Sequence, residues 1–273
     1  MMTKAITYVC NHPVKKNTES LSVGRLRVFC MQGNGCKYAT AFPIPVAMYI
    51  MKTQSERLGK PIIVIDPCAG WGDRLAAAMI LGKKYVESYT CFDPWEVSNK
   101  VCADIHNKLS LCGIGKGVKI TIQTACSEKQ WKTKDRRKAH LIFTSPPYAD
   151  LEQYGCDTDE PAQAWKYCSK NDRIASFGEN FLLPMLMHAR DKLTMHGGRI
   201  AININDIPGI KKPQHNLVET FLLCAKKAGL YVDNVVGMSL SVRAPKTTFA
   251  HASAVYRAEP IFILAKCDSF YDR

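Results

Sequence analysis

Between Pro61 and Phe143 short apolar runs alternate with amphipathic stretches, and this alternation constrains the fold more than any other feature of the chain. Ile62–Ile65, Tyr89–Phe92, Val118–Thr124 and Ala139–Phe143 read as strands, with helices over Arg74–Leu81 and Glu96–Leu109 between them. Apolar runs without polar alternation suit strands covered on both faces, the condition of a parallel sheet. Strand and helix in regular succession indicate an α/β domain. Downstream the pattern predicts a helix over Phe181–Leu193, a stop at Gly197-Gly198, a strand over Arg199–Ile204 and a helix over Leu217–Ala228 closed by Gly229. Tyr231–Met238 and Ile261–Ala265 can then pair antiparallel across the basic loop Val242–Arg257. Upstream, Ala41–Arg57 reads as a helix with Pro45 in its first turn. The expected organisation is one domain over 41–273 behind an N-terminal extension, 1–40.

Two strand ends carry residues that a plain turn does not need. The first strand runs into Asp66-Pro67-Cys68-Ala69-Gly70-Trp71-Gly72-Asp73-Arg74. Gly70 and Gly72 let the backbone approach a ligand where a side chain would block it, and the helix N-terminus that follows favours a carboxylate or other anion. Asp66 can attract an ammonium group. Asp93, before Pro94 at the end of the second strand, stands where an acid accepts both ribose hydroxyls in nucleotide-binding α/β folds, which strengthens the reading of the glycine turn; a simple turn former is the alternative. The fourth strand ends in Thr144-Ser145-Pro146-Pro147-Tyr148. Neither proline has an N–H to donate, so the strand stops there, and the Ser145 hydroxyl and the Pro146 carbonyl are held in fixed directions.

Together these segments resemble the cofactor and catalytic motifs of the S-adenosylmethionine-dependent amino-methyltransferases, which methylate exocyclic amines of nucleic-acid bases. The Ser-Pro-Pro-Tyr form resembles the N4-cytosine DNA enzymes most. Combined with Gly-Trp-Gly-Asp-Arg-Leu, it is most similar to DNA methylases of phages and large DNA viruses. The likeness extends over roughly Phe42 to Lys266 and is specific at the two main motifs. It implies a Rossmann-like class I methyltransferase fold: a mostly parallel seven-stranded sheet, helices on both faces, and a C-terminal antiparallel hairpin. It implies S-adenosylmethionine as cofactor, held by Phe42, Pro43, Asp66, Pro67, Cys68, Ala69, Gly70, Gly72, Asp93 and Pro94, with the adenine near Phe92 and Pro94. A hydrophobic staple at the helix start explains Phe42 and Pro43 as well. Ser145, Pro146, Pro147 and Tyr148 are the implied catalytic residues, accepting hydrogen bonds from the amine and stacking on the base. No covalent cysteine and no metal is required by this chemistry.

The charge balance fits such a substrate. Thirty-seven Lys+Arg against 24 Asp+Glu give a net charge of +13, which suits a polyanionic partner or merely a solubilising surface; the resemblance implies DNA rather than RNA as that partner. The densest basic cluster, Lys129 to Lys138 with Trp131 inside it, leads into the fourth strand. Asp150, Glu152 and Tyr154 are placed to meet an extruded base, and Arg243 and Lys246 to contact the strand; helix capping is the bland reading of the first three. The site-specific enzymes of this kind carry a sizeable recognition region. Only Asp150–Ser176 and Arg243–Arg257 are available here, so weak specificity, a single-stranded substrate or a partner subunit all stay open. An N6-adenine enzyme, an RNA base methyltransferase and a non-catalytic nucleic-acid-binding subunit are the competing readings. Cys10, His12, Cys30 and Cys36 match no familiar zinc spacing, and twelve cysteines in 273 residues read as small packed hydrophobes rather than a disulfide scaffold. The N-terminus has no apolar signal region and no run is long enough to span a bilayer, so the expected location is intracellular.

Overall fold

The apolar runs assemble into one seven-stranded sheet of order β3-β2-β1-β4-β5-β7-β6. The strands are β1 (Ile62–Asp66), β2 (Val86–Asp93), β3 (Lys119–Thr124), β4 (Leu141–Thr144), β5 (Arg199–Asn203), β6 (Leu230–Ser239) and β7 (Ala258–Lys266). Pairings among β1 to β5 are parallel, while β7 runs antiparallel to both β5 and β6. The expected parallel sheet with a terminal hairpin is therefore what forms. The computed structural model describes residues 42–129, 131, 137–149, 172–206, 216–239 and 258–267. The helices are α1 (Ile44–Leu58), α2 (Asp73–Leu81), α3 (Glu96–Leu111), α4 (Arg173–Phe177), α5 (Leu183–Lys192) and α6 (Leu217–Lys227).

Side chains on successive strand positions enter opposite cores, as the two-residue period of a strand demands. Leu141 and Phe143 of β4 pack with α1 and α2, whereas Ile142 packs with α5 and α6. In β5, Ala201 joins the first group and Ile200 and Ile202 the second. Helices thus cover both faces. All five residues of β1 are buried, which is why that strand shows no polar alternation. β6 lies at the sheet edge, with a register shift between Val232 and Asn234, and is mostly exposed between Leu230 and Met238.

Several element boundaries differ from the sequence expectation: β2 begins at Val86 rather than Tyr89, β7 at Ala258 rather than Ile261, and β4 at Leu141 rather than Ala139. Helix α1 begins at Ile44 rather than Ala41, with Pro43 extended at its N-cap and Gly59 closing it in the left-handed region (φ 64°). The helix expected from Phe181 begins eight residues earlier, at Arg173, where the Asp172 carboxylate accepts from the Ala175 N–H. A single π turn over Gly178–Leu182 joins α4 to α5, just ahead of Pro184, which has no N–H to continue a regular ladder. There the Cys224 thiol of α6 donates to the Gly178 carbonyl at 3.3 Å. A Cβ on Gly178 would sit 2.4 Å from Thr220, so the close approach of α6 requires glycine. Among the described residues, no helix is long and apolar enough to cross a membrane.

Candidate active site

A sheet order that reverses direction between β1 and β4 leaves a crevice beyond the carboxyl ends of the strands. The registers align those ends: Asp66 pairs with Cys91, Asp93 with Thr124, and Thr144 with Ile202. The turns after β1, β2, β3 and β4 therefore open along one rim.

The turn after β1 is built on a buried ion pair. Asp66 is fully buried, and its oxygens accept from Arg74 Nε (2.8 Å) and Nη2 (3.2 Å), Tyr89 Oη (2.6 Å) and the Cys68 N–H (3.3 Å). The guanidinium also donates to the Cys68 carbonyl and lies over the rings of Phe42 and Phe143. Burial opposes the charge on Arg74, but Asp66 more than offsets this and holds it protonated. Burial and the same carboxylate push the Tyr89 hydroxyl far up. The ammonium contact expected of Asp66 is thus not available to a side chain so enclosed. Its task is to shape the turn. Phe42 is likewise committed: its ring meets Phe143 edge-on at 5.5 Å and its N–H donates to Asp73 Oδ2 at 3.2 Å. That packing ties the start of α1 to β4. Pro43 stays partly exposed beside it, and Pro67 is buried.

Gly70 and Gly72 both have positive φ, 55° and 79°. Among the described residues, a Cβ at Gly70 would meet the Cys68 carbonyl alone, at 4.0 Å, which leaves room for close approach to this backbone. One at Gly72 would press on Ile105 (3.0 Å) and Cys102 (3.2 Å), because α3 packs tightly there. Asp93 fastens this turn to its own: Oδ2 accepts from the Gly70 N–H (3.1 Å) and Oδ1 from the Trp95 N–H (3.0 Å). Burial raises its carboxyl to about 6 despite those two donors. The Ala69 N–H bonds the Phe92 carbonyl at 3.0 Å, completing the join. Phe92 itself faces the core against Trp131, 5.2 Å between ring centroids, so it offers no face to an adenine. Pro94 is partly exposed.

The turn after β3 closes on the same place. Cys68 Sγ lies 3.5 Å from Ser127 Oγ, and Trp131, which the sequence places among basic residues, is buried with its indole N–H on the Ser127 carbonyl (2.7 Å). Burial pushes the Cys68 thiol to about 12 and raises that of Cys126, so neither is a thiolate at neutral pH.

Beyond β4 the chain passes through Ser145 to Tyr148 and then through Ala149, a buried alanine held at φ 50°. A left-handed non-glycine residue is strained, and here it sits directly after the paired prolines. Pro146 is buried; Ser145, Pro147 and Tyr148 are partly exposed. Both hydroxyls reach Asn203 at the end of β5: Ser145 Oγ is 3.4 Å and Tyr148 Oη 3.5 Å from its Oδ1. Asn203 was missed in the sequence. Its only signal is a polar residue at the carboxyl end of an otherwise apolar central strand, Ile200-Ala201-Ile202-Asn203. Asp150, Glu152, Tyr154, Arg243 and Lys246 lie outside the described residues, as do the N-terminal extension 1–40, its cysteine and histidine candidates, and the middle of the basic cluster.

No protein-family model matches the chain, and neither does any curated protein sequence. Solved structures do. A SAM-dependent methyltransferase from Agrobacterium tumefaciens aligns with a TM-score of 0.50 at 11% identity, over 83% of this chain and 63% of its own. A SAM-dependent O-methyltransferase from Thermotoga maritima aligns at 0.46 and 15% identity, over 89% and 71%. TrmN from Thermus thermophilus aligns at 0.47 and 16% identity, over 82% of this chain and 49% of its own. With the strand order and the terminal antiparallel hairpin, the chain has the Rossmann-like class I methyltransferase fold.

Proposed function

We propose that the chain transfers a methyl group from S-adenosylmethionine to an exocyclic amine of a nucleic-acid base, with N4 of cytosine in DNA as the target. The observation that carries this reading is the meeting, on one rim, of a glycine turn fastened to Asp93 and a Ser-Pro-Pro-Tyr loop that ends on a strained residue. The cofactor would supply a methyl group on a positively charged sulfur. The open backbone at Gly70 and the partly exposed Asp93 fit its binding: the first admits close approach, and the second has lone pairs left for ribose hydroxyls. The first turn of α2 lies beside that backbone and favours a carboxylate. Cys68 and Pro94, both partly exposed, would form the adjoining wall, with Ala69 buried behind them.

The amine of a base is a poor nucleophile because its lone pair is delocalised into the ring. Ser145 Oγ and the Pro146 carbonyl act by accepting its N–H groups, which draws nitrogen toward a tetrahedral geometry. Tyr148 supplies a flat face for stacking, and the rigid prolines hold the nitrogen in line, a proximity effect. In the transfer the base nitrogen would bond the methyl carbon as the carbon–sulfur bond breaks, the electron pair staying on a now neutral sulfur, and the proton released from nitrogen would pass to solvent. The resemblance of the Ser-Pro-Pro-Tyr form to the N4-cytosine enzymes supports cytosine, and the +13 charge supports a nucleic-acid strand.

Single-turnover methylation of DNA tests the roles. Ser145→Ala and Tyr148→Ala are expected to lower the rate about 100-fold with the S-adenosylmethionine dissociation constant unchanged. Equal loss of cofactor affinity in both would remove the loop from catalysis.

A further inference from the structure

Asn203 is 3% exposed and stands at the end of β5, between the Ser145–Tyr148 loop on one side and β7 on the other. Its amide can be oriented from its partners. Nδ2 lies 3.1 Å from the Pro260 carbonyl oxygen, which has no proton and can only accept. The Glu259 carboxyl bonds the same side chain. The nitrogen of Asn203 therefore faces β7, and Oδ1 faces the loop. Oδ1 has no proton either, so the hydroxyls of Ser145 (3.4 Å) and Tyr148 (3.5 Å) both donate to it. These are long contacts, of the kind that tighten when a ligand closes a site.

We propose that Asn203 sets the hydrogen-bond polarity of the loop: it takes the protons of both hydroxyls, so that they turn lone pairs toward an entering amino group and reject a carbonyl oxygen. The inference rests on the reading that a base enters beside Ser145. A hydroxyl has one proton, and once that proton is committed the oxygen can only accept. An amine N–H meets those lone pairs favourably, whereas a carbonyl oxygen meets them lone pair to lone pair. The opposite polarity, with hydroxyls donating outward, would strip the buried Oδ1 of its donors. Cytosine differs from uracil, and adenine from hypoxanthine, in the group being discriminated. Asn203 is thus a positioning and specificity-determining residue that acts through Ser145 and Tyr148.

Binding of single-stranded oligonucleotides of equal length, saturated with S-adenosylhomocysteine, reads this directly, because the phosphate contacts cancel between members of a pair. The probes are oligo-deoxycytidylate against oligo-deoxyuridylate, and oligo-deoxyadenylate against oligo-deoxyinosinate. The wild-type protein is expected to bind the amino member of at least one pair about tenfold more tightly. Asn203→Leu, and Asn203→Ala should the first not fold, are expected to abolish the preference and lower kcat about tenfold, with affinity for S-adenosylhomocysteine unchanged. In a Ser145→Ala background the Asn203 substitution should cost little more. Equal wild-type binding within both pairs would overturn the proposal, as would a variant that keeps the wild-type preference. Discrimination without methyl transfer to any probe would leave this inference standing and remove the proposed reaction. Methyl transfer without discrimination would do the reverse.

Discussion

Arg74→Met removes the cation from a pair whose members are 4% and 0% exposed, and its cost follows from what remains. Asp66 keeps the Tyr89 hydroxyl and the Cys68 N–H but loses two guanidinium donors, and its charge stays enclosed. Breaking a buried pair from one side costs about 3–5 kcal/mol, mostly through the carboxylate left behind. The stacking of Arg74 over Phe42 and Phe143 adds a smaller loss, which the methionine stem partly replaces. For a chain of this length that corresponds to a fall in Tm of about 5–10 °C. Urea titration and differential scanning calorimetry are the assays, with the double variant Asp66→Asn/Arg74→Met as control. Removing the stranded charge as well should recover more than half of the loss. Because the pair shapes the Cys68–Gly72 turn, S-adenosylmethionine affinity should fall in the single variant even well below its Tm. A single variant within about 1 kcal/mol of wild type, or a double variant worse than the single, would refute the argument that the ion pair orders this turn.

Three further outcomes are expected. Asp93 titrates near 6, above the ordinary value of 3.8, so its native form takes up a proton before the unfolded chain does; the unliganded fold gains stability as pH falls from about 6 toward 4, while affinity for S-adenosylmethionine, which needs the carboxylate as acceptor, drops below about 6. Calorimetric binding from pH 5 to 8 checks this, and Asp93→Asn should be weaker and flat; a wild-type profile equally flat would reduce Asp93 to a turn residue. Gly72→Ala places a methyl against Ile105 and Cys102 at a left-handed position and is expected to cost about 2–4 kcal/mol by urea unfolding. Affinity for duplex DNA should fall steeply with salt, with a slope of log K against log salt of about −0.9 per phosphate contacted; a flat response would assign the +13 charge to solubility.

Much of the fold was legible because a buried parallel strand has a strong local signature. Ile62–Ile65 and Leu141–Phe143 are apolar on every position, and each ends in residues that cannot continue a strand. The rim was legible for the same reason: turn chemistry is local, so Gly70, Gly72, Asp93 and the paired prolines announce themselves. What escaped depends on contacts between distant segments. Asp66 looks like a free acid until the register places Tyr89 on the neighbouring strand and α2 turns Arg74 back onto it. Trp131 looks like part of a basic surface until its indole is found on Ser127. Helix α4 was hidden because Gly178 argues against a helix, and only the packing of Thr220 and Cys224 explains it. Asn203 pairs with a loop 58 residues earlier and a strand 57 residues later, and no sequence period connects them.

The most direct test of the central claim is incubation with labelled S-adenosylmethionine and matched duplex DNA, single-stranded DNA and RNA, followed by nucleoside mass spectrometry. The account predicts N4-methylcytosine in DNA, formed about 100-fold more slowly by Ser145→Ala. Label in no nucleic acid, with no binding of S-adenosylmethionine, would contradict it.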